Sequence, residues 1–262
     1  RDAFLFVSNH RDIVLDPALT NLALYEQGFQ TAEVAIGDNL LTEKWIEDIV
    51  KLNKSFIVRR NLQGRELVEA SRHLSSYIRY SLLENGHSVW IAQREGRSKD
   101  GNDKTQQWLI NMLGMSSTGT SLKEHYASLN IVPIAISYEK DPCDLEKIKA
   151  VYAKRKGLVY QKTPGEDNES MKKGIMGSKG KLHIQFCNPI KSEIEKLPDN
   201  LKRNELCESI CQLIDQEIIA AYRLNPHNFM AYDLLHEKDP DYSRYDEESL
   251  QKYQKEVAEK AV

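Results

Sequence analysis

An imidazole with carboxylates two and six residues downstream is equipped to move a proton, and the segment Ser8-Asn9-His10-Arg11-Asp12-Ile13-Val14-Leu15-Asp16-Pro17 supplies one. A neutral His10 can take the proton of a hydroxyl as general base, with no protein nucleophile required. Either Asp12 or Asp16 could hold the ring in one tautomer and steady it once charged. A second set of groups suits anions. Arg59 and Arg60 end the short apolar run 55–58, and adjacent guanidinium groups suit planar, bidentate recognition of phosphate. In the third set, Arg94-Glu95-Gly96-Arg97-Ser98 follows the apolar run 89–92. There Gly96 lets the backbone approach a ligand, Arg97 and Lys99 can neutralise it, and Ser98 adds a hydroxyl. Each set alone has a plainer reading: an inert loop histidine, a solvated strand end and a charged surface turn.

The elements that would position these groups alternate along the chain. Residues 3–8, 33–36, 56–58, 88–92, 131–138 and 181–186 read as strands. Between them lie helical patterns such as 64–84, where Leu67, Ser71, Leu74, Ile78 and Leu82 mark one face. This alternation predicts an α/β fold with a mostly parallel sheet flanked by helices. Asp16-Pro17 reads as a helix start, with Asp at the cap and Pro at the first position. His10 then falls in a strand-to-helix connection at the C-terminal edge of the sheet, where open α/β sheets bind ligands. Pro133 implies that 131–138 begins irregularly or runs along an edge. The polar stretch 162–180 reads as a loop with at most a short helix. Its Gly174–Leu182 portion only superficially matches a phosphate loop, since the glycine spacing is too long, Leu182 replaces Ser or Thr, and a strand follows rather than precedes it. The division predicted is a domain over 1–225 and a charged C-terminal helical extension over 226–262, whose last segment, from Glu247, has only the narrow stripe Leu250, Tyr253 and Val257.

Composition narrows the function classes. The chain has 262 residues, 40% hydrophobic and 29% charged, with 36 Lys+Arg against 39 Asp+Glu and a net charge of -3. That balance argues against a general nucleic-acid binder. Cys143, Cys187, Cys207 and Cys211 are too sparse for a disulfide scaffold and fit a reducing, cytoplasmic setting. Cys207 and Cys211 recur at helical spacing with Ile210, Ile214, Ile218 and Ala221, which makes them core thiols rather than metal ligands. The other histidines show no metal spacing. No apolar run approaches the roughly 18 residues of a membrane span. The chain begins at Arg1 rather than Met, so natural residues upstream are expected, and a membrane anchor there is compatible with the sequence.

Taken in order, the pieces are more specific than any one of them. An Asn-His with a downstream Asp, then Phe56-Ile57-Val58-Arg59-Arg60, Glu95-Gly96-Arg97-Ser98 and Val132-Pro133-Ile134 resemble the blocks of the glycerol-phosphate and lysophosphatidic acid acyltransferase superfamily of phospholipid biosynthesis. Ala35-Ile36-Gly37-Asp38-Asn39-Leu40 and Ser137-Tyr138-Glu139 resemble its flanking segments. Two departures mark a divergent branch. The family's Asp lies five positions after its His, whereas Asp16 lies six after His10; Asp16 is preferred because family members also follow this Asp with Pro, and Asp12 is its rival. The third block is one residue tighter, so that Arg94 or Glu95 takes the family's Glu position if Arg97 and Ser98 hold register.

The resemblance implies a glycerol-3-phosphate acyltransferase-like fold and transfer of an acyl group from acyl-CoA or acyl carrier protein. The acceptor would be a hydroxyl of lysophosphatidic acid, with glycerol-3-phosphate or a lyso-aminolipid as alternatives. His10 would be the base, with Asp16 or Asp12 behind it. Arg59, Arg60, Glu95, Gly96, Arg97 and Ser98 would bind the acceptor, and neither metal nor cofactor is implied. A peripheral position at the inner, cytoplasmic face of a membrane follows from lipid substrates; Trp45, Ile46, Ile49, Val50 and Leu52 in 42–53 form an apolar face of the kind that meets a membrane, although the mixed charge opposite favours a helix packed on the core. The alternative of another class is a catalytically silent relative that binds lipid or acyl carrier as a scaffold.

Overall fold

Six short apolar runs pair into one sheet: Leu5–Ser8 (β1), Glu33–Gly37 (β2), Ser55–Val58 (β3), Val89–Ala92 (β4), Ile131–Tyr138 (β5) and Leu182–Phe186 (β6). Their order is β3-β2-β4-β1-β5-β6. The first five are parallel, and β6 adds antiparallel to β5. The computed structural model describes residues 2–41 and 44–260, apart from the side chains of Trp45, Ile46 and Ile49. The apolar face expected of 42–53 therefore lies largely outside the described residues.

The helices among the described residues are Leu15–Glu26 (α1), Lys44–Leu52 (α2), Gly64–Leu83 (α3), Gln107–Leu113 (α4), Leu122–Ser128 (α5), Asp144–Arg155 (α6), Glu166–Met176 (α7), Lys191–Glu195 (α8), Arg203–Ala221 (α9), Pro226–Leu235 (α10) and Glu247–Lys260 (α11). Chain order explains which face each covers. The steps β1 to β2 and β2 to β3 run toward one edge, whereas β3 to β4 and β4 to β5 run back. Right-handed crossovers then place α1 on one face and α3, α4 and α5 on the other. Strand alternation follows suit: Leu5, Val7, Val89 and Ile91 pack in the cluster that includes Ile78, Ile110, Tyr126 and Ile210. Phe6, Val34, Trp90 and Ile134 pack with Leu24 on the opposite face. Burying each such side chain is worth roughly 1.5–3 kcal/mol. β1 and β4 lie side by side at the centre, and their outgoing connections leave toward opposite faces. A crevice opens at such a switch point, just beyond the carboxyl ends of the strands.

Three expectations change. β5 is an inner strand, paired with β1 and β6, although it contains Pro133. The Pro133 carbonyl accepts from Cys187 N at 2.9 Å, just past the last β5–β6 pair, Ile134 with Phe186. Pro133 stands opposite Cys187 in the same register, where paired antiparallel residues exchange two N–H···O bonds, so the proline forgoes one of the two and the regular β5–β6 ladder stops at Ile134–Phe186. The stretch read as a loop contains α7, which begins with Glu166, Asp167 and Glu169 in its first turn and buries Ser170 and Gly174. The third change concerns Asp16, which lies inside the first turn of α1 rather than at its cap.

Cys207 and Cys211 sit in the buried stripe of α9 with Ile210, Ile214 and Ile218. The marginal α11 finds its partner in α10, where Leu250 packs with Met230 and Tyr245. The boundary expected at 225/226 falls in the connection between α9 and α10. No described helix is long and apolar enough to cross a membrane.

Candidate active site

β1 delivers Asn9 and His10 to the central crevice. The Asn9 side chain, fully buried, donates from Nδ2 to Ile136 O at 2.9 Å and accepts from Ile136 N at 2.7 Å. This pair of hydrogen bonds to the β5 backbone fixes the strand end from which His10 projects. His10 Nδ1 lies 2.8 Å from Asp16 Oδ2. The same oxygen accepts from Arg11 N at 2.6 Å and Asp12 N at 2.9 Å, while Oδ1 accepts from the Tyr138 hydroxyl at 2.9 Å. Asp16 is 0% exposed, so its partners account for both oxygens. Burial, reinforced by the adjacent Asp16 carboxylate, pushes the Tyr138 phenol far above its usual 10, which keeps it a donor. An acceptor at Nδ1 selects the Nδ1–H tautomer and leaves the Nε2 lone pair for a ligand. Trp90 packs edge-on to the imidazole, with ring centroids 6.1 Å apart.

Asp12, the rival carboxylate, has a different job. Its Oδ1 accepts from Val14 N at 2.9 Å and Leu15 N at 2.8 Å, bonds that close the turn leading into α1. The extra residue between His10 and the helix is thus absorbed by an Asp12-closed turn, which lets Asp16 turn back to the ring. Gly174 of α7 packs directly on the Asp12 carboxylate, where a Cβ would collide with it.

A cavity of about 1770 Å³ opens beside His10. It reaches both faces of the sheet: Ile36 and Ala92 line it on the α1 side, Phe56 and Leu74 on the α3 side. Its polar end carries Arg59, Arg60, Arg94, Glu95 and Gly96. Arg60 donates its backbone N to Asp38 Oδ1 at 3.2 Å, and its guanidinium lies 3.4 Å from Glu95. The guanidinium runs so close to Gly37 that a Cβ there would strike Nε. Gly96 turns at φ +69°, the left-handed conformation that glycine adopts without penalty.

Arg97 and Ser98 do not join this lining. The Arg97 guanidinium lies instead against the Cys143 thiol, whose pKa is raised mainly by burial. Ser98 is 1% exposed, and its backbone N donates to His10 O at 2.9 Å. The structure therefore gathers His10, Asp16, Arg59, Arg60, Glu95 and Gly96, assigns Asp12 to the turn that enters α1, and sets Arg97 and Ser98 behind the His10 loop. Sequence reasoning placed Tyr138 in a family-like segment but missed its bond to Asp16, 122 positions away, and gave Arg94 only the family's Glu position, as an alternative to Glu95. Among the described residues, no group of three His, Cys, Asp or Glu side chains is placed to hold a metal ion.

A family model described as Acyltransferase matches residues 1–137, more than half of the chain. The solved structure of the 1-acyl-sn-glycerophosphate (LPA) acyltransferase PlsC from Thermotoga maritima is similar at 13% sequence identity and a TM-score of 0.39, over 86% of this chain and 69% of that chain. No curated protein matches.

Proposed function

Since the chain belongs to the acyltransferase family, we propose that it transfers a fatty acyl group from a thioester to a hydroxyl of lysophosphatidic acid, with His10 as general base. The observation that carries this reading is the His10–Asp16 contact of 2.8 Å at the polar end of a large apolar cavity. Asp16 orients the ring, and Nε2 takes the acceptor proton as the acceptor oxygen attacks the thioester carbonyl carbon. The tetrahedral oxyanion then collapses, the C–S bond breaks, and the proton passes from Nε2 to the departing sulfur. An ester and a free thiol result. A base so placed contributes about 10²–10⁴-fold.

The donor is acyl-CoA or acyl carrier protein, and its chain occupies the apolar cavity at about 0.8 kcal/mol per buried methylene. Arg59, Arg60 and Glu95 surround the acceptor head, with Gly96 giving it room at the backbone. Holding both reactants there converts an encounter into an oriented reaction. Ile57, Leu67, Val68 and Trp108 line the cavity and are also 42–47% exposed, an apolar rim suited to receiving a lipid from a membrane surface.

Radiolabelled acyl transfer to a panel of lysophosphatidic acid, glycerol-3-phosphate and a lyso-aminolipid tests the reading. Product with the first, and inhibition by inorganic phosphate, support it; product only with the phosphate-free acceptor moves the assignment to that class. The displaced Arg97 favours one competing reading, a silent scaffold. Absence of acceptor-dependent thiol release with every acceptor would establish that reading instead.

A further inference from the structure

The segment 222–260 holds α10 and α11, and its buried side chains Met230, Tyr245 and Leu250 form a cluster separate from the two that cover the sheet faces. Among the described residues, its polar contacts with the rest of the chain converge on 137–144, the end of β5 and the residues after it. Arg223 N donates to Ser137 Oγ at 2.9 Å, and Ser137 is fully buried. His227 Nδ1 lies 3.3 Å from Glu139 Oε1. Lys140 Nζ donates to both carboxylate oxygens of Glu256 at 3.2 Å. Lys260, at the end of α11, pairs with Asp144. Residues 137, 139 and 140 are thus held from the C-terminal side, and between them stands Tyr138, whose hydroxyl donates to Asp16. The Tyr222 ring touches the other arm of the site. It lies 5.4 Å from the guanidinium of Arg11, whose backbone N donates to the same Asp16 carboxylate.

Partly exposed ion pairs of this kind contribute little to stability. Placed around one residue, they restrict instead where that residue can point. We propose that Ser137 and Glu256 are positioning residues, through which the C-terminal segment holds Tyr138 on Asp16 and so keeps His10 in its reactive tautomer. Glu256 acts through Lys140, and Ser137 acts through the backbone it shares with Tyr138. This inference rests on the acyl-transfer reading above and adds the C-terminal segment to the parts that orient the base. The route passes through one hydrogen bond, so a loss caused this way cannot exceed that of Tyr138→Phe.

The test applies steady-state acyl transfer to full-chain Glu256→Ala, Ser137→Ala and their combination, after matched melting curves. Each single variant is expected to lower kcat about two- to five-fold, and the combination about ten-fold, with KM for donor and acceptor unchanged. In a Tyr138→Phe background the same substitutions are expected to cost nothing further. Lys140→Glu should lower kcat as Glu256→Ala does, and Lys140→Glu joined to Glu256→Lys should restore it. Undiminished losses in the Tyr138→Phe background, a rise in KM in place of the fall in kcat, or a wild-type kcat in the combination would overturn the proposal. NMR of isotope-labelled histidine reads the ring without turnover, the His10 signal being the one lost in His10→Ala. It should report the Nδ1–H tautomer in the wild type and a mixture with Nε2–H in the combination. That change supports the proposal even if acyl transfer fails with every acceptor, and the same tautomer in both proteins contradicts it.

Discussion

The Tyr138 hydroxyl donates to Asp16 Oδ1 at 2.9 Å while the His10 imidazole engages Oδ2 of the same carboxylate. The last residue of β5 thus buttresses a carboxylate that α1 presents to the strand end of β1, and three elements converge on one ring. Removing the charge while preserving the shape tests this directly. Asp16→Asn is expected to lower kcat by about 10²–10⁴-fold with little change in KM, because the amide no longer enforces the reactive tautomer. Tyr138→Phe is expected to have a smaller effect in the same direction. Steady-state kinetics at one pH decide it, and an Asp16→Asn enzyme with a normal kcat would remove Asp16 from the mechanism.

Asp12 is expected to behave as a structural residue. Asp12→Ala removes the acceptor for Val14 N and Leu15 N, a loss of about 0.5–2 kcal/mol. Denaturant melts should show that destabilisation, while kcat falls far less than in Asp16→Asn. The reverse pattern would restore Asp12 as the partner of His10.

These two carboxylates show what was legible in the chain. The six strands could be read because each is a short apolar run bounded by turn residues, and strand followed by helix places His10 at the sheet edge. Which carboxylate meets the ring could not be read, because one inserted residue decides it and the insertion is absorbed by a turn. The helix α7 was hidden by its polar composition and by Gly174, whose lack of a Cβ serves contact with Asp12 rather than a turn. The departure of Arg97 was hidden for a similar reason: no periodicity governs side-chain direction in the turn after β4. Arg94, three residues earlier, faces the cavity instead.

Cavity length is expected to govern the acyl chain. Ala70 lines the cavity from α3, and Ala70→Phe places a ring in that space. Competition assays with thioesters of graded length should show the preferred chain shortened, each lost buried methylene costing about 0.8 kcal/mol. An unchanged length profile would place the chain elsewhere.

Acid is expected to destabilise the fold through His125. This side chain is 4% exposed, lies 2.9 Å from Leu113 O through Nε2, and sits near the Arg79 charge. Burial, the largest influence, lowers its pKa below the usual 6.5. His227 is lowered for the same leading reason. The unfolded chain therefore binds protons more readily than the fold. The stability contribution is complete above 6.5 and is lost as pH falls through the window below it. Melting temperature should drop between about pH 7.5 and about pH 5.5, and His125→Gln should flatten that dependence. A slope identical in wild type and variant would dismiss His125 as the cause.

The central claim is that the His10 imidazole removes the acceptor proton. The most direct measurement is acceptor-dependent release of free thiol from acyl-CoA by wild type and by His10→Ala, with circular dichroism verifying the variant's fold. The account predicts release by the wild type and its loss, by at least about 10²-fold, in the variant. A folded His10→Ala protein that releases thiol at the wild-type rate would contradict it.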